Sequence, residues 1–365
     1  MNGTTSTERI AIVSSGAVTS VGLTAASTCA AIRASLDNFQ ETHFVDDVGD
    51  PLLGARVLDE DLGLDETEPG FILGGAGKLA AMFVRAATEC VQQIGGIDAT
   101  STALLLIGPD GATRPGMGHA QLQACFEACG QAIGRPFHEA SRISQLGGPG
   151  FVAALRYGQR LLRERRVRHV LVTGLDSLLN GDDINQGLAA RRLLTARQAD
   201  GFIPGEAAAC VLLAPTGTWG AAGADSGMPV LELAGIGWAQ ETENWLSGRA
   251  TTGKGLAAAI RAAFAQAGLH PHDIHQRLSD GSGESFFMDE AIYAWGRVLR
   301  ALNPPGYMAP LVAASVGDTG SAAGPLLATV ALDMARKGWG AGPYTLLHFS
   351  SISEPRAAAV LQATG

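Results

Sequence analysis

Residues 315–324 read SVGDTGSAAG and lie between the apolar run PLVAA (Pro310–Ala314) and PLLATVALDMARKG (Pro325–Gly338). An apolar run that ends in a glycine-rich turn and opens onto a helical pattern reads as strand, turn and helix, and it presents one side chain at the turn. Here that side chain is Asp318. Similar units recur on both sides. RIAIVSSGAVTSVG (Arg9–Gly22) and STALLLIGPDG (Ser101–Gly111) read as strands entering turns, and KLAAMFVRAATECVQQIG (Lys78–Gly95) as a helix stopped by glycine. GFVAALRYGQRLLRERRVR (Gly150–Arg168) reads as a long helix whose basic end complements its dipole. It feeds the buried strand HVLVTGLDS (His169–Ser177), and AACVLLAP (Ala208–Pro215) reads as another.

TGTWGAAGADSGM (Thr216–Met228) interrupts this pattern and is the expected linker. Beyond it the order repeats. VLELAGIGWA is a strand, KGLAAAIRAAFAQAG a helix, HQRLSDGSG a strand into a turn and DEAIYAWGRVLRAL a helix. LVAASVGDTGSAAG is again strand into helix, and YTLLHFSS and RAAAVLQ close the chain as two strands. Continuous apolar strands alternating with helices predict an α/β fold with a parallel-rich sheet covered by helices. Its two similar halves would span residues 1–215 and 229–365, joined by 216–228. In such sheets ligands gather beyond the carboxyl ends of strands, which points to the turns after Ile107, Leu278 and Val316.

Composition narrows the function classes. The chain has 365 residues, 46% hydrophobic and 17% charged, with 48 glycines, which fits a compact core and argues against disorder. A net charge of −9 supplies no attraction to nucleic acid or anionic lipid. The polar start MNGTTSTER has no apolar segment of a secretory signal, and apolar runs such as ALLLIG are too short to span a membrane, so cytoplasmic residence is the default expectation. The odd number of cysteines, five, suits reduced thiols. Cys125 and Cys129 share a helix face but lack a second ligand pair, and they read as small buried side chains rather than a metal site.

Several of these stretches, in order, resemble the β-ketoacyl synthase branch of the thiolase superfamily. GAVTSVG (Gly16–Gly22) is similar to its opening turn, and LLTARQADGFIPGEAAACVLL (Leu193–Leu213) to its DGFV-x-GEGAA-VLVL segment, the most specific match. DGSGES with the downstream Asp289 and Glu290 stands where the family has a HGTGT loop and an acid. GDTGSAAG (Gly317–Gly324) stands for GHT-x-GAAG, and FSSISEPRAAAVLQ (Phe349–Gln362) for the FGFGG-x-N tail. The resemblance covers nearly the whole chain. It implies a thiolase fold, with duplicated α/β halves stacked as an αβαβα sandwich, and a dimer.

The family's chemistry is a decarboxylative Claisen condensation. It needs a cysteine thiolate at a helix N-terminus and two histidines that bind the thioester oxygen. This sequence departs at each of those places. The nucleophile turn reads SRISQLGGPGFVAAL, where the alignment leaves either Gln145 or Gly148 at the cysteine position. Asp280 and Asp318 replace the two histidines, Ala313 replaces a lysine, and SSIS (Ser350–Ser353) replaces the gating Phe-Gly-Phe-Gly loop. Removing the nucleophile alone costs about 10⁶ in turnover where it has been measured. No catalytic residue, cofactor or metal is therefore expected. Gln145, Gly148, Asp280 and Asp318 are the positions of a relic pocket.

Several single residues admit a sharp chemical reading and a plainer structural one. Asp280 and Asp318 could form a carboxylate pair with separated pKa values, giving a hydrolase, but both sit in sequences that favour local bonds to backbone amides. Ser282 has no histidine at a recognisable partner position. Glu206 reads as an interior ion-pair or hydrogen-bonding residue, and Cys210 as a buried, inert thiol. His270, His272 and His275 read as a solvated turn, and NGDDINQG (Asn180–Gly187) as a surface loop without calcium-ligand spacing. GGPG (Gly147–Gly150) can start a helix with no side chain in the pocket.

The expectation is a pseudoenzyme acting as a binding, scaffolding or accessory module, dimeric with itself or a related chain and contacting an effector or a carrier protein. Two groups fit. Ketosynthase-like proteins of type VI secretion loci resemble this chain over Asp37–Val57, an acidic, glycine-bearing hairpin. Chain-length-factor subunits of aromatic polyketide synthases share the Q-x-GG of Gln145–Gly148. An acyltransferase or condensing enzyme with relocated residues is the alternative. HVLVTGLDS is the expected edge for self-association.

Overall fold

The computed structural model describes residues 9–64, 76–111, 113–114, 117–133, 136–216 and 227–365. In chain order its strands are β1 (Ile10–Thr19), β2 (Gln40–Val45), β3 (Pro51–Gly54), β4 (Thr102–Gly108), β5 (Arg142–Gln145), β6 (His169–Ser177), β7 (Glu206–Pro215), β8 (Val230–Gln240), β9 (Gln276–Ser279), β10 (Tyr344–Ser350) and β11 (Pro355–Thr364). The α-helices among the described residues are α1 (Ala25–Arg33), α2 (Ala76–Gln92), α3 (His119–Ile133), α4 (Gly150–Arg163), α5 (Gly181–Ala189), α6 (Lys254–Ala267), α7 (Ser285–Leu299), α8 (Ala313–Val316) and α9 (Ala323–Lys337). None is long and apolar enough to cross a membrane.

The main sheet runs β5-β4-β6-β7-β1-β8-β11-β10-β9, and β2 and β3 pair separately as a hairpin. The internal duplication lies in this order. The set β4-β6-β7-β1 is matched strand for strand by β9-β10-β11-β8, with one parallel and two antiparallel pairings in each. Only Ala11 and Ile12 pair across the junction, with Glu232 and Leu231. The N-terminal half has a further strand, β5, parallel to β4. At the matching place beside β9 there is only a single parallel bridge, Gln276 to Met308.

Strand alternation builds the layers, because successive side chains point to opposite faces. Along β4, Ala103, Leu105 and Ile107 join the central core with α4 and α9, and Leu104 and Leu106 join the outer core with α2 and α3. Along β11, Ala357, Ala359 and Leu361 face the same central core, and Ala358 and Val360 face α6 and α7. The result is helix, sheet, helix, sheet, helix: the αβαβα sandwich.

Three expectations are corrected here. The sheet is mixed rather than parallel-rich, because β7 and β11 return antiparallel; apolar runs report burial and not direction. HVLVTGLDS is interior, as β6 pairs with both β4 and β7, and the sheet ends on β5 and β9. The run before Asp318 is not a strand. Residues 313–316 form one helical turn, α8, whose Val316, with the neighbouring Val312, plugs the central core. A short apolar run suits either structure, and only its neighbours decide. Of the expected linker, residues 217–226 lie outside the described residues.

Candidate functional site

A cavity of about 180 Å³ opens at the carboxyl ends of β4, β5, β6, β9 and β10. The turns after Ile107, Leu278 and Val316 all reach it, through Asp110, Asp280 and Asp318. Close backbone packing brings Asp318 there. Asp318 N–H donates to Ile203 O at 2.8 Å, and Gly205 N–H donates to Asp318 O at 2.9 Å. This stitches GDTGSAAG to the DGFIPGE segment. Gly317 lies in the left-handed region at φ 69°, and a Cβ on Gly205 would stand 2.4 Å from Val316 O, so both positions require glycine.

The structure brings Gly148, Asp280 and Asp318 to one cavity. Gln145 ends β5 and is not among the lining residues; its amide nitrogen faces Gly111. A Cβ on Gly148 would stand 2.7 Å from Asp280 Oδ2, so a side chain at 148 would require the Asp280 carboxyl to shift from its present position. Asp280 accepts the Ser350 N–H at 3.1 Å, while Asp318 accepts Gly320 N–H at 2.8 Å and the Ser282 hydroxyl at 3.1 Å. Burial, reinforced by the negative charge of Asp318, holds the Asp280 carboxyl well above the usual carboxylate range. Ala313 borders a void of about 10 Å³ beneath the two aspartates.

Around them stands a clamp that the sequence reading missed. Arg114 bonds Asp176 at 2.9 Å and Asp183 at 2.8 Å, and Asp176 also accepts Ser321 N–H. Arg192 grips Glu284 with two bonds of 2.7 Å, its guanidinium lying 5.1 Å from the Trp245 ring centre and 5.2 Å from that of Phe202. NGDDINQG is no surface loop: it forms α5, capped by the Asn180 side chain on Asp183 N–H, and its Asp183 and Gln186 line the cavity. The capping asparagine followed by acids in the first turn was a legible helix start. Arg114 and Arg192 carried no local signal.

Other singled-out residues fall elsewhere. Glu206 bonds Lys78 at 2.5 Å in the interior and accepts Val57 N–H and the Ser177 hydroxyl. Glu290 is fully buried against Arg356 at 2.9 Å and receives the Ser350 hydroxyl, which anchors the 350–353 loop over the cavity. All five cysteines are buried and none lines the cavity. Burial pushes the Cys29, Cys90 and Cys129 thiols up to about 12 and that of Cys210 well above its ordinary value. His270, His272 and His275 lie on the turn before β9, and no histidine among the described residues lines the cavity.

The layered, duplicated architecture is the thiolase-like fold of ketosynthases. No protein-family model matches the sequence, and no curated protein matches it. Solved structures do. The chain is similar to one titled the ishigamide ketosynthase/chain length factor, with 17% identity, coverage of 99% of this chain and 100% of that one, and a TM-score of 0.76. It is similar to AntDE:AntF, a type II PKS acyl-carrier protein in complex with its ketosynthase bound to the hexaketide, with 14% identity, coverage of 98% and 100%, and a TM-score of 0.78. A third is the oxazolomycin ketosynthase domain OzmH KS7 of Streptomyces albus JA3453, at 15% identity, 98% and 75% coverage and TM-score 0.76.

Proposed function

We propose that this chain is a ketosynthase-like protein that performs no decarboxylative condensation and serves as a binding or scaffolding partner of other proteins. One observation carries the reading: Gly148 abuts the Asp280 carboxylate, Asp318 faces the same cavity, and no thiol or imidazole among the described residues reaches it. No imidazole among the described residues faces the place where an enolate oxygen would develop, and the nucleophile's loss removes about 10⁶ in rate.

Within that class we favour an accessory role in type VI effector delivery. The resemblance over Asp37–Val57 supports it, and there β2 and β3 form a hairpin bearing Glu41, Asp46, Asp47 and Asp50. A chain-length-factor-like partner of a condensing enzyme is the second reading, supported by Gln145 and by the likeness to ketosynthase/chain length factor assemblies. The test is incubation with acyl-CoA and acyl-carrier-protein thioesters, followed by intact-mass measurement. We expect no adduct and no thioester turnover. A covalent acyl adduct would restore the condensing or acyltransferase reading, and turnover lost in Asp318→Ala would establish a hydrolase using Asp280 and Asp318.

A further inference from the structure

Three of the cavity's carboxylates have cations of their own. Asp176 and Asp183 share Arg114, and Glu284 holds Arg192. Asp280 and Asp318 form no ion pair among the described residues; the bonds they accept come from neutral N–H and O–H donors. Two acidic groups thus face about 180 Å³ of open space with no cation bonded to either among the described residues; Arg356, bonded to Glu290, acts on Asp280 only at a distance. The surface beside this space is apolar. Leu246 lines the cavity and is 56% exposed, and on α7 Phe287 lines the cavity while Met288, Ile292 and Tyr293 are exposed, Ile292 to 59%. Met288 reaches the cavity loop, its Sδ 3.7 Å from where a Cβ on Gly281 would stand. Exposed apolar side chains continuous with a concave site mark an interaction surface, unlike apolar residues scattered singly.

We infer that this face receives an apolar segment of a partner protein that inserts one lysine or arginine side chain into the cavity, against Asp280 and Asp318. The inference rests on the binding-module reading and names the partner's chemistry. A single long side chain suits the cavity's size, with its methylenes along the Phe287 and Ile352 walls and its charge at the carboxylates. An acyl chain would leave both acids covered with no cation bonded to them, and a malonyl-type carboxylate would add a further negative charge to an acidic cavity. A cation there competes with the proton on Asp280, so binding tightens as pH rises and Asp280 loses that proton. The whole chain, at −9, attracts a basic partner over longer range.

The experiment uses the full chain and four pools of degenerate heptapeptides, each with a fixed central Lys, Arg, norleucine or Glu. Retention of the pools on immobilised protein is read by mass spectrometry. We expect Lys and Arg pools to be retained at least tenfold over norleucine and Glu, with Leu, Ile and Phe enriched beside the centre. The near-isosteric pair Asp280→Asn with Asp318→Asn should abolish the preference for Lys and Arg. Ile292→Asp, on the surface, should abolish the apolar enrichment without lowering the Tm. Equal retention of the norleucine pool, or a preference undiminished in the double Asn variant, overturns the inference. Neither result bears on condensation, which the acyl-adduct measurement decides separately.

Discussion

Burial and the neighbouring Asp318 keep the proton on Asp280 beyond the usual carboxylate range, and that has a thermodynamic consequence. Between the ordinary value of about 4 and the raised folded value, the folded chain holds a proton that the unfolded chain has lost. Stability therefore falls as pH rises through that window. Asp280→Asn removes the slope and keeps an oxygen for the Ser350 N–H. The variant should melt higher than the parent at pH 8, with the two Tm values converging below pH 4. A Tm difference that does not vary with pH would show that Asp280 is an ordinary structural acid. Such a group is costly where it stands.

At the level of elements, β10 shows how a strand buried on both faces handles a polar side chain. Its Leu347 and Phe349 face the central core and its Leu346 faces α6 and α7, so His348, two residues on, shares the outer face with Leu346. Neither ring nitrogen of His348 has a hydrogen-bond partner among the described residues. Burial, aided by the Arg277 guanidinium of β9, holds its pKa well below the ordinary histidine value. The unfolded chain takes up a proton near pH 6.5 that the folded one refuses, so stability should fall as pH drops from 7 to 5, by about 1.4 kcal/mol for each pKa unit of separation traversed. Urea titrations at several pH values check this, and His348→Leu should flatten the acid limb. An unchanged limb would place a charge acceptor beside His348. The elements also show where periodicity misled: α5 and α8 read as a loop and a strand because both are too short for a helical repeat to declare itself.

The whole molecule is bound together by its central layer. α4 of the first half and α9 of the second share one core with apolar side chains from both halves of the sheet; Phe151 and Phe349 meet edge to face with ring centres 5.9 Å apart. Each half alone would expose that face. Heating should therefore give one calorimetric transition, and residues 1–215 expressed alone should bind a hydrophobic dye and lack a cooperative melt. A separate, sharp transition for that fragment would show two autonomous domains. The interaction face proposed beside the cavity draws Leu246 and α7 from the second half, while its carboxylate cleft needs Gly148 and the Arg114 clamp from the first.

The sequence by itself determined the α/β class, most strands and helices, and the turns that carry Asp280 and Asp318, because apolar spacing and glycine-rich turns are local properties of a chain. The sequence left the nucleophile position open between Gln145 and Gly148, and with five cysteines and eight histidines in the chain, only the structure showed that none among the described residues lines the cavity. Tertiary structure alone decided strand direction, the edge strands β5 and β9, and the coupling of Gly148 to Asp280. It alone assembled Arg114 with Asp176 and Asp183, and Arg192 with Glu284, across 62 to 92 positions. Ion pairs over such separations leave no pattern along the chain, because the partners meet only after the sheet has closed between them.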